Sequence, residues 1–228
     1  MTPRDPELSI ETLLEHHGIE PKALHRRAAR MTRRKILLAA MQCFAEKGYQ
    51  KTTIREISAK AGVTLGALYH HFKGKKDLLM QMNRSRQINS LEITREVLEE
   101  ESDFFEGLRK ALYGQFQLLA EDPILSGVFR EYVGMAMIDP DINRMHSRND
   151  MEFHNVFASE LKRRYPNLTE DTRDSLVRML LVSFQGLITY LIVHSPIVTR
   201  YEEILDGLLR SFHLAIKEHD SGNPPGKK

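Results

Sequence analysis

Cysteine is almost absent from this chain: among 228 residues, only Cys43 carries a thiol. A single cysteine excludes an intramolecular disulfide framework and agrees with a reducing compartment. It also excludes a cysteine-rich zinc site. Because Cys43 falls among apolar residues of a predicted helix, we interpret it as a buried structural thiol rather than a redox sensor.

Long apolar runs are also missing. Residues 1–30 lack the apolar core of a signal peptide. The most apolar stretch, residues 179–193, contains Ser183, Gln185 and Thr189, and it is shorter than the roughly 18–20 apolar residues that a transmembrane helix needs. We therefore interpret it as a buried helix, and we expect a cytoplasmic protein with no membrane partner.

Motifs for catalysis, phosphate binding and metal binding are missing as well. The sequence has no glycine-rich phosphate loop, no Gly-x-Ser-x-Gly elbow and no His-Glu-x-x-His motif. Its ten histidines include the adjacent pairs 16–17 and 70–71, whose side chains would diverge by about 100° on a helix, a poor geometry for chelation. We therefore expect no enzymatic activity, no metal site and no cofactor.

Charge is balanced overall but unevenly distributed. The net charge is only +2, with 41% hydrophobic and 28% charged residues, a composition typical of a soluble globular protein. Basic residues nevertheless cluster on both sides of residues 52–72, as phosphate-binding groups would, although a solvated charged face looks the same. The clusters are Arg26, Arg27, Arg30, Arg33, Arg34 and Lys35 before this segment and Lys73, Lys75 and Lys76 after it.

Residues 52–72 have the spacing of two short helices joined at a glycine. Thr53 is a predicted N-cap, and Glu56 completes a capping box three residues later. Gly62 is of the type that ends a helix in the left-handed conformation, and Thr64 can cap the second helix. This is the plan of a DNA-binding helix-turn-helix, although a plain helical hairpin in an all-α core has the same spacing.

The second of these helices begins with small or uncharged side chains, Leu65, Gly66 and Ala67. A helix with such a bare N-terminal face can bring its backbone close to base edges in the major groove, where Ala or Leu meets a thymine methyl group. We interpret it as a recognition helix.

Further anchor residues recur at fixed spacing over residues 33–79. They are Phe44, Lys47, Gly48 and Tyr49, then Thr52, Thr53, Ile54, Ile57, Ala61, Gly62 and Val63, then Leu68, Tyr69, His71, Phe72, Lys75 and Leu78. This pattern closely resembles the N-terminal domain of the TetR family of transcriptional regulators. Together with the basic cluster, the resemblance implies contacts to a double-stranded DNA operator by Arg33, Arg34, Thr53, Thr64, Leu65, Gly66, Ala67, Tyr69, His70 and Lys75.

The remaining sequence is helical in pattern to its end, without a convincing period-2 run. We predict an all-α protein with an N-terminal three-helix helix-turn-helix DNA-binding domain and a C-terminal helical ligand-binding and dimerisation domain. The predicted units are an N-terminal extension (1–27), the DNA-binding domain (28–75), the effector-binding and dimerisation domain (76–219) and a disordered polar tail (220–228).

The middle helices carry enough large apolar side chains to line a cavity, and Met adapts to ligands of varied shape. The same side chains would build an ordinary core, and it is the resemblance, whose members commonly bind a small effector, that favours a pocket. The predicted ligand-binding residues are Phe116, Phe129, Tyr132, Met135, Phe153 and Phe157, with Arg130 and His154 as polar groups. The lining favours a small hydrophobic effector, and Arg130 is the candidate partner for a carboxylate.

The last two helices carry apolar stripes that need partners. The resemblance implies a four-helix interface between two copies, formed by Leu180, Phe184, Leu187, Leu191, Leu205, Leu208 and Phe212. A monomer in which both helices belong to the core is the alternative.

The sequence as a whole thus predicts a homodimeric DNA-binding regulator, interpreted as a repressor that a small hydrophobic effector releases from a palindromic operator. An effector that strengthens DNA binding is an alternative mode of control. A ligand-binding or interaction protein of the same fold without operator binding is the alternative function, and the salt dependence of DNA binding separates the two.

Overall fold

The computed structural model describes the backbone of residues 21–193 and 201–221 and the side chains of residues 27–190 and 201–220. Every regular element within these ranges is an α-helix, which confirms the predicted fold class. In chain order the helices are α1 (Pro21–Lys51), α2 (Ile54–Ala61), α3 (Leu65–His71), α4 (Lys75–Glu100), α5 (Phe104–Glu121), α6 (Pro123–Ala136), α7 (Pro140–Arg164), α8 (Glu170–Val193) and α9 (Tyr201–Ser221).

Two of the predicted domain boundaries fall inside helices. Helix α1 begins at Pro21 and crosses the boundary at residues 27 and 28, and α4 contains the boundary at residues 75 and 76. Residues 220 and 221, which we assigned to the tail, belong to α9. The predicted extension before residue 21 and the predicted tail after residue 221 lie outside the described residues. The side chain of Leu191, a predicted interface residue, lies outside them as well.

Helices α1, α2 and α3 pack together at the N-terminal end of the described chain. Ile36 and Phe44 of α1, Ile57 of α2 and Leu68 of α3 are fully buried in one apolar cluster. Gly48 interrupts α1 with φ 78° and ψ 161°, a conformation open to glycine at little cost. A last short turn follows this break, and α1 ends at Lys51.

Helices α4 to α9 form the body. Helix α4 packs against α5, α6 and α7, and α8 packs against α6, α7 and α9. Cys43 is buried in the N-terminal core, and burial raises the pKa of its thiol. None of the described helices has a stretch long and apolar enough to cross a bilayer.

Helix α6 joins the body to the N-terminal helices. Gly127 packs so closely on α1 that a Cβ atom there would lie 3.2 Å from Ala45 Cα. Four residues later, Glu131 Oε2 accepts a hydrogen bond from Tyr49 N at 2.8 Å. The body and helices α1 to α3, the predicted DNA-binding unit, are therefore in direct contact through α6 and α1.

A second link lies at the start of α4. Lys76 Nζ lies 2.7 Å from Asp139 Oδ1 and 2.5 Å from Asp141 Oδ2, at the N-terminus of α7. Lys76 lowers the pKa of both carboxyls, so both are charged at neutral pH.

Candidate functional site

The first helix of the helix-turn-helix is capped as the sequence predicts. Glu56 N donates to Thr53 Oγ1 at 3.2 Å, and Thr53 N donates to Glu56 Oε2 at 2.9 Å. Glu56 Oε1 also lies 2.6 Å from Lys47 Nζ of α1. The hydrogen bond from Lys47, followed by those from Thr53, lowers the pKa of Glu56 to about 2, so the capping carboxylate is ionised at neutral pH.

The turn between α2 and α3 also has the expected geometry. Gly62 is left-handed with φ 64°, and its N–H donates to Ala59 O at 3.1 Å. Val63 N donates to Ser58 O at 3.0 Å, and Ala67 N donates to Thr64 Oγ1 at 3.1 Å. These bonds satisfy backbone groups that a helix end leaves without partners, and they set the angle at which α3 leaves α2.

Helix α3 presents an accessible surface, which we name the recognition face. Leu68 anchors the helix because its side chain is fully buried, whereas Tyr69, about 100° further round the helix, is 54% exposed. The recognition face consists of Thr64, Leu65, Gly66, Ala67, Tyr69 and His70, of which Ala67 is half-buried and the others are exposed. All six are predicted DNA contacts, and the structure brings them together.

The basic residues predicted to contact DNA differ in whether they interact with other residues of this chain. Arg34 is exposed and forms no hydrogen bond or ion pair with any described residue. Arg33 instead donates to Gln81 Oε1 of α4, and its guanidinium lies 5.3 Å from the centroid of the Phe72 ring. Arg33 therefore holds α1 against α4.

Lys75 is engaged in a similar way. Its ammonium donates to Tyr49 O at 2.8 Å and to Gln50 O at 3.3 Å, and it lies 4.7 Å from the centroid of the Tyr49 ring. A cation on the last carbonyls of a helix is stabilising, so Lys75 closes the end of α1. The contact of Lys75 with a DNA phosphate stays a prediction. An ammonium group has three N–H donors, so Lys75 has a donor left for a phosphate beside the two carbonyls.

Sequence reasoning missed Arg55, an exposed residue in the first turn of α2. The side chain has no hydrogen bond or ion pair to the described residues. A basic residue two positions after the N-cap Thr53 was a readable signal, since phosphates bind at helix N-termini.

The body contains a cavity of about 350 Å³ between α4, α5, α6, α7 and α8. The predicted residues Phe129, Tyr132, Phe153, His154 and Phe157 all line it. Further apolar lining comes from Leu112, Phe184 and Ile188. The volume is at the lower end of the roughly 300–1,000 Å³ usual for small-molecule sites.

Three predicted ligand-binding residues do not line this cavity. Phe116 is fully buried and stacks on Tyr201 of α9 with ring centroids 4.9 Å apart. Met135 packs towards the DNA-binding unit, with its Sδ 3.7 Å from Gln50 Nε2. Arg130 is exposed, because it lies about 100° around α6 from its inward-facing neighbour Phe129.

Arg86 of α4 also lines the cavity, and sequence reasoning missed it. Its guanidinium carbon lies 4.6 Å from the centroid of the Phe129 ring. Its Nε and the Nδ2 of Asn83 have no hydrogen-bond partner among the described residues. Burial lowers the pKa of Arg86 to about 10, so it is a cation at neutral pH.

A polar stripe on α4 could have revealed this site. Asn83, Gln87, Ser90 and Thr94 are buried, and with Arg86 they recur at the three- and four-residue spacing of one helix face. Facing this stripe, burial raises the pKa of Tyr132 to about 12, so its hydroxyl is a neutral donor at physiological pH.

Ionisable side chains lie close to one another at and beside the cavity. His146 Nε2 lies 3.7 Å from Asp150 Oδ2, and His154 Nε2 lies 2.8 Å from Asp174 Oδ1. Asp174 also binds Arg178 Nε at 2.7 Å. In the described part of the chain, no three His, Cys, Asp or Glu side chains converge as they would around a metal ion.

The residues predicted for the dimer interface lie mostly in the core of their own chain. Leu180, Phe184, Leu187, Leu205 and Phe212 are buried, and Leu208 is half-buried. Another accessible apolar surface of α8 and α9 shares only Leu208 with the predicted set. We name it the α8–α9 face: Met179, Val182, Gly186, Tyr190, Ile204 and Leu208. A residue that the chain itself covers cannot also contact a second copy, so the interface prediction moves to this face.

Comparison with known proteins extends these observations. Residues 36–82 match the sequence model of the family described as bacterial regulatory proteins, tetR family. The chain is similar to the HTH-type transcriptional repressor BepR of Brucella suis, with 33% identity over 124 residues, 51% of this chain and 59% of that protein. It spans between 24% and 59% of the length of such curated relatives.

Solved structures share the fold over most of the chain. The SmeT–triclosan complex is similar with a TM-score of 0.62 and 25% identity, covering 84% of this chain and 90% of that one. The transcriptional regulator FadR from Bacillus subtilis in complex with stearoyl-CoA has a TM-score of 0.67 and 20% identity, covering 78% and 96%. The helix-turn-helix geometry and the family match agree, so residues 36–82 are a DNA-binding domain of the tetR family of bacterial regulatory proteins.

Proposed function

We propose that this protein is a transcriptional repressor that binds an operator through its recognition face and is released by a small apolar effector. One observation carries the proposal: α4 begins four residues after α3 ends, and the same helix lines the cavity with Asn83, Arg86 and Gln87. An occupant of the cavity therefore contacts the helix that follows the DNA-reading element.

The recognition face is suited to base contact. Gly66 and Ala67 keep side-chain bulk low at the N-terminus of α3, so the backbone can approach the floor of the major groove. The exposed Arg34 and Arg55 supply cations for phosphates, and such contacts position the protein without reading sequence.

Helix α6 supplies a route from the cavity to the DNA-binding unit. Phe129 and Tyr132 face the cavity, and Gly127 and Glu131 of the same helix contact α1. A ligand that displaces α6 therefore changes the support of α1. A differential affinity of about 3 kcal/mol between two such arrangements corresponds to a roughly hundredfold change in DNA affinity.

We propose that the α8–α9 face forms the dimer interface. Val182 is 73% exposed and Ile204 is 47% exposed, and a shallow apolar depression between Gly186, Tyr190, Ile204 and Leu208 offers a seat for apolar side chains. Two copies related by a two-fold axis would present recognition faces about 34–36 Å apart and would favour a palindromic operator.

The likeness to liganded structures supports a small apolar effector. SmeT is described in complex with triclosan and FadR of Bacillus subtilis with stearoyl-CoA. The cavity of this chain lies among body helices and has a mostly aromatic and aliphatic lining, which fits the apolar portion of such ligands.

The test is selection of operator sequences from random DNA, followed by fluorescence anisotropy on the selected duplex. We expect nanomolar binding to a near-palindrome and a steep loss of affinity between about 50 and 200 mM salt. A screen of apolar compounds for thermal stabilisation and DNA release tests the effector. Failure to enrich any sequence would contradict the operator assignment.

A ligand-binding protein that no longer binds an operator is the second candidate function. It is favoured by Arg33 and Lys75, two predicted phosphate contacts that hold α1 in place instead. This candidate predicts ligand binding together with weak DNA binding that is equal for selected and scrambled duplexes.

A further inference from the structure

We propose that Arg86 is the anchor for an anionic head group, and that the effector is an amphipathic acid whose carboxylate binds in the cavity against α4. The inference rests on the proposed effector role of the cavity and names the chemistry that the cavity selects. It also replaces Arg130, the candidate from sequence, by a residue on a different helix.

Arg86 is a cation without a counter-ion. It forms no ion pair or hydrogen bond with any described residue, and its contact is the face of the Phe129 ring. Arg86 is half-buried, and charges withdrawn from water are normally paired, because an unpaired charge in an apolar site is costly. A group that brings a negative charge to this site would remove that cost.

The acidic residue that lines the cavity is Asp150, whose side chain is 57% exposed and lies 3.7 Å from His146 Nε2. Asp174, outside the lining, lies 2.8 Å from His154 Nε2 and 2.7 Å from Arg178 Nε. Neither carboxylate forms an ion pair with Arg86. The charge that would neutralise Arg86 therefore has to come with the ligand.

The neighbouring polar atoms fit a carboxylate. Guanidinium groups bind planar carboxylates through two parallel hydrogen bonds. Asn83 Nδ2 is a buried donor without a partner on the same helix face, and Tyr132 Oη also lines the cavity. Donors from two helices, α4 and α6, thus line the cavity in which the head group would lie.

The other residues that line the cavity determine which chemical group can be attached to the carboxylate. Phe153, Phe157, Leu112 and Ile188 are apolar, so the group attached to the carboxylate is an alkyl chain or an aromatic ring. The cavity of about 350 Å³ limits its size.

The experiment compares three probes of equal chain length, decanoate, decanol and decylamine, by isothermal titration calorimetry on the full-length protein. We expect decanoate to bind about tenfold or more tighter than decanol, as a charge-assisted hydrogen bond requires, and decylamine to bind more weakly than either. Equal affinities for decanoate and decanol, or no binding of either, would overturn the proposal.

Two arginine variants locate the effect. Arg86→Met should lose the preference for decanoate while keeping decanol affinity within about threefold, because only the charged contact is removed. Arg130→Met is the matched control and should bind like the wild type, since Arg130 is exposed outside the cavity. Retained preference in Arg86→Met would overturn the assignment.

Thermal melting separates a ligand anchor from a structural residue. Unliganded Arg86→Met should melt at or above the temperature of the wild type, because removing an unpaired buried charge relieves its desolvation, and decanoate should raise the melting temperature of the wild type alone. A lower melting temperature for unliganded Arg86→Met would show that the fold needs this charge and would contradict the proposal. Operator binding is measured separately, so the selectivity can hold even if the regulatory role fails.

Discussion

The helix-turn-helix and the cavity differ in whether their polar groups have hydrogen-bond partners. In residues 52–72, Thr53, Glu56, Gly62 and Thr64 satisfy one another or nearby backbone groups within a few residues. In the cavity, Arg86 and Asn83 are left with unpartnered donors among the described residues.

This difference indicates a division of roles. The polar groups of the helix-turn-helix are satisfied within the segment itself, so the segment is a rigid unit. Its helix α3 presents the recognition face to solvent. A cavity with an unsatisfied cation is incomplete on its own, since each buried donor without an acceptor costs free energy. Under the proposed function, the first region contacts DNA and the second is completed by a ligand.

The largest expected effect is that of Ala67→Glu, which should impair DNA binding by the helix-turn-helix and leave ligand binding in the cavity intact. At this position glutamate can complete a capping box with Thr64, so the fold is preserved, but its charge would face DNA phosphates. We expect DNA affinity to fall about hundredfold or more, with decanoate binding unchanged. Anisotropy and calorimetry measure the two, and Leu118→Glu, on exposed α5 surface, is the control. Unchanged DNA affinity in Ala67→Glu would contradict the recognition face.

Val182→Arg tests the dimer interface that we propose for the body. In the wild type we expect a dimer of twice 26.4 kDa. A charge introduced at Val182, which is 73% exposed on the α8–α9 face, should weaken dimerisation by about hundredfold, giving a monomer at micromolar concentration in sedimentation. Leu118→Arg should stay dimeric. A wild-type monomer, or a dimeric Val182→Arg, would show that this face is not the interface.

Glu131→Ala tests the connection between the two regions. The variant leaves Tyr49 N without its carboxylate acceptor, which should cost about 1–3 kcal/mol in unfolding free energy. It should also reduce the effect of a bound ligand on DNA affinity. Chemical denaturation and anisotropy measure these, and Glu96→Ala, an exposed carboxylate of α4 without a described partner, is the control. An unchanged ligand effect would exclude this route.

Lys75→Ala and Arg34→Ala separate phosphate contact from structure. Each should reduce the slope of log affinity against log salt by about one unit. Lys75→Ala should in addition lower stability, because it removes two hydrogen bonds at the end of α1, whereas Arg34→Ala should not. A normal slope in Lys75→Ala would assign the residue to structure alone.

The smallest expected effect concerns pH. Because the pKa of Glu56 is lowered to about 2 from 4.5 in the folded protein, its contribution to stability is complete above about pH 4.5 and is lost as pH falls towards 2. Glu56→Gln should therefore lose less stability over this interval than the wild type does. Thermal melting from pH 6 to pH 2 measures this, and parallel curves would contradict it.

The caps and the helix-turn-helix were predictable because their determinants are local. Thr53 and Glu56 are three residues apart, as are Thr64 and Ala67, and Gly62 directly follows α2. Such hydrogen bonds form within one turn of helix, so the spacing of residue types in the sequence contains the information that they need.

The faces of the long helices were less predictable. Helix α8 is apolar nearly all round, so periodicity does not decide that Leu180 and Phe184 face the core while Val182 is exposed. The order of neighbouring helices decides it. For the same reason, the dimer residues chosen from the sequence lie largely inside the chain.

By itself, the sequence determined the all-α class, the capped helix-turn-helix and the aromatic character of the body. Only the tertiary structure decided that Arg86 lies inside the cavity and Arg130 outside, and that Phe116 packs on Tyr201 of α9. Hydrogen bonds in caps depend on neighbours in the chain, whereas burial of an arginine depends on how α4 and α6 are rotated against helices distant in sequence. That rotation is set by the fit of the whole core.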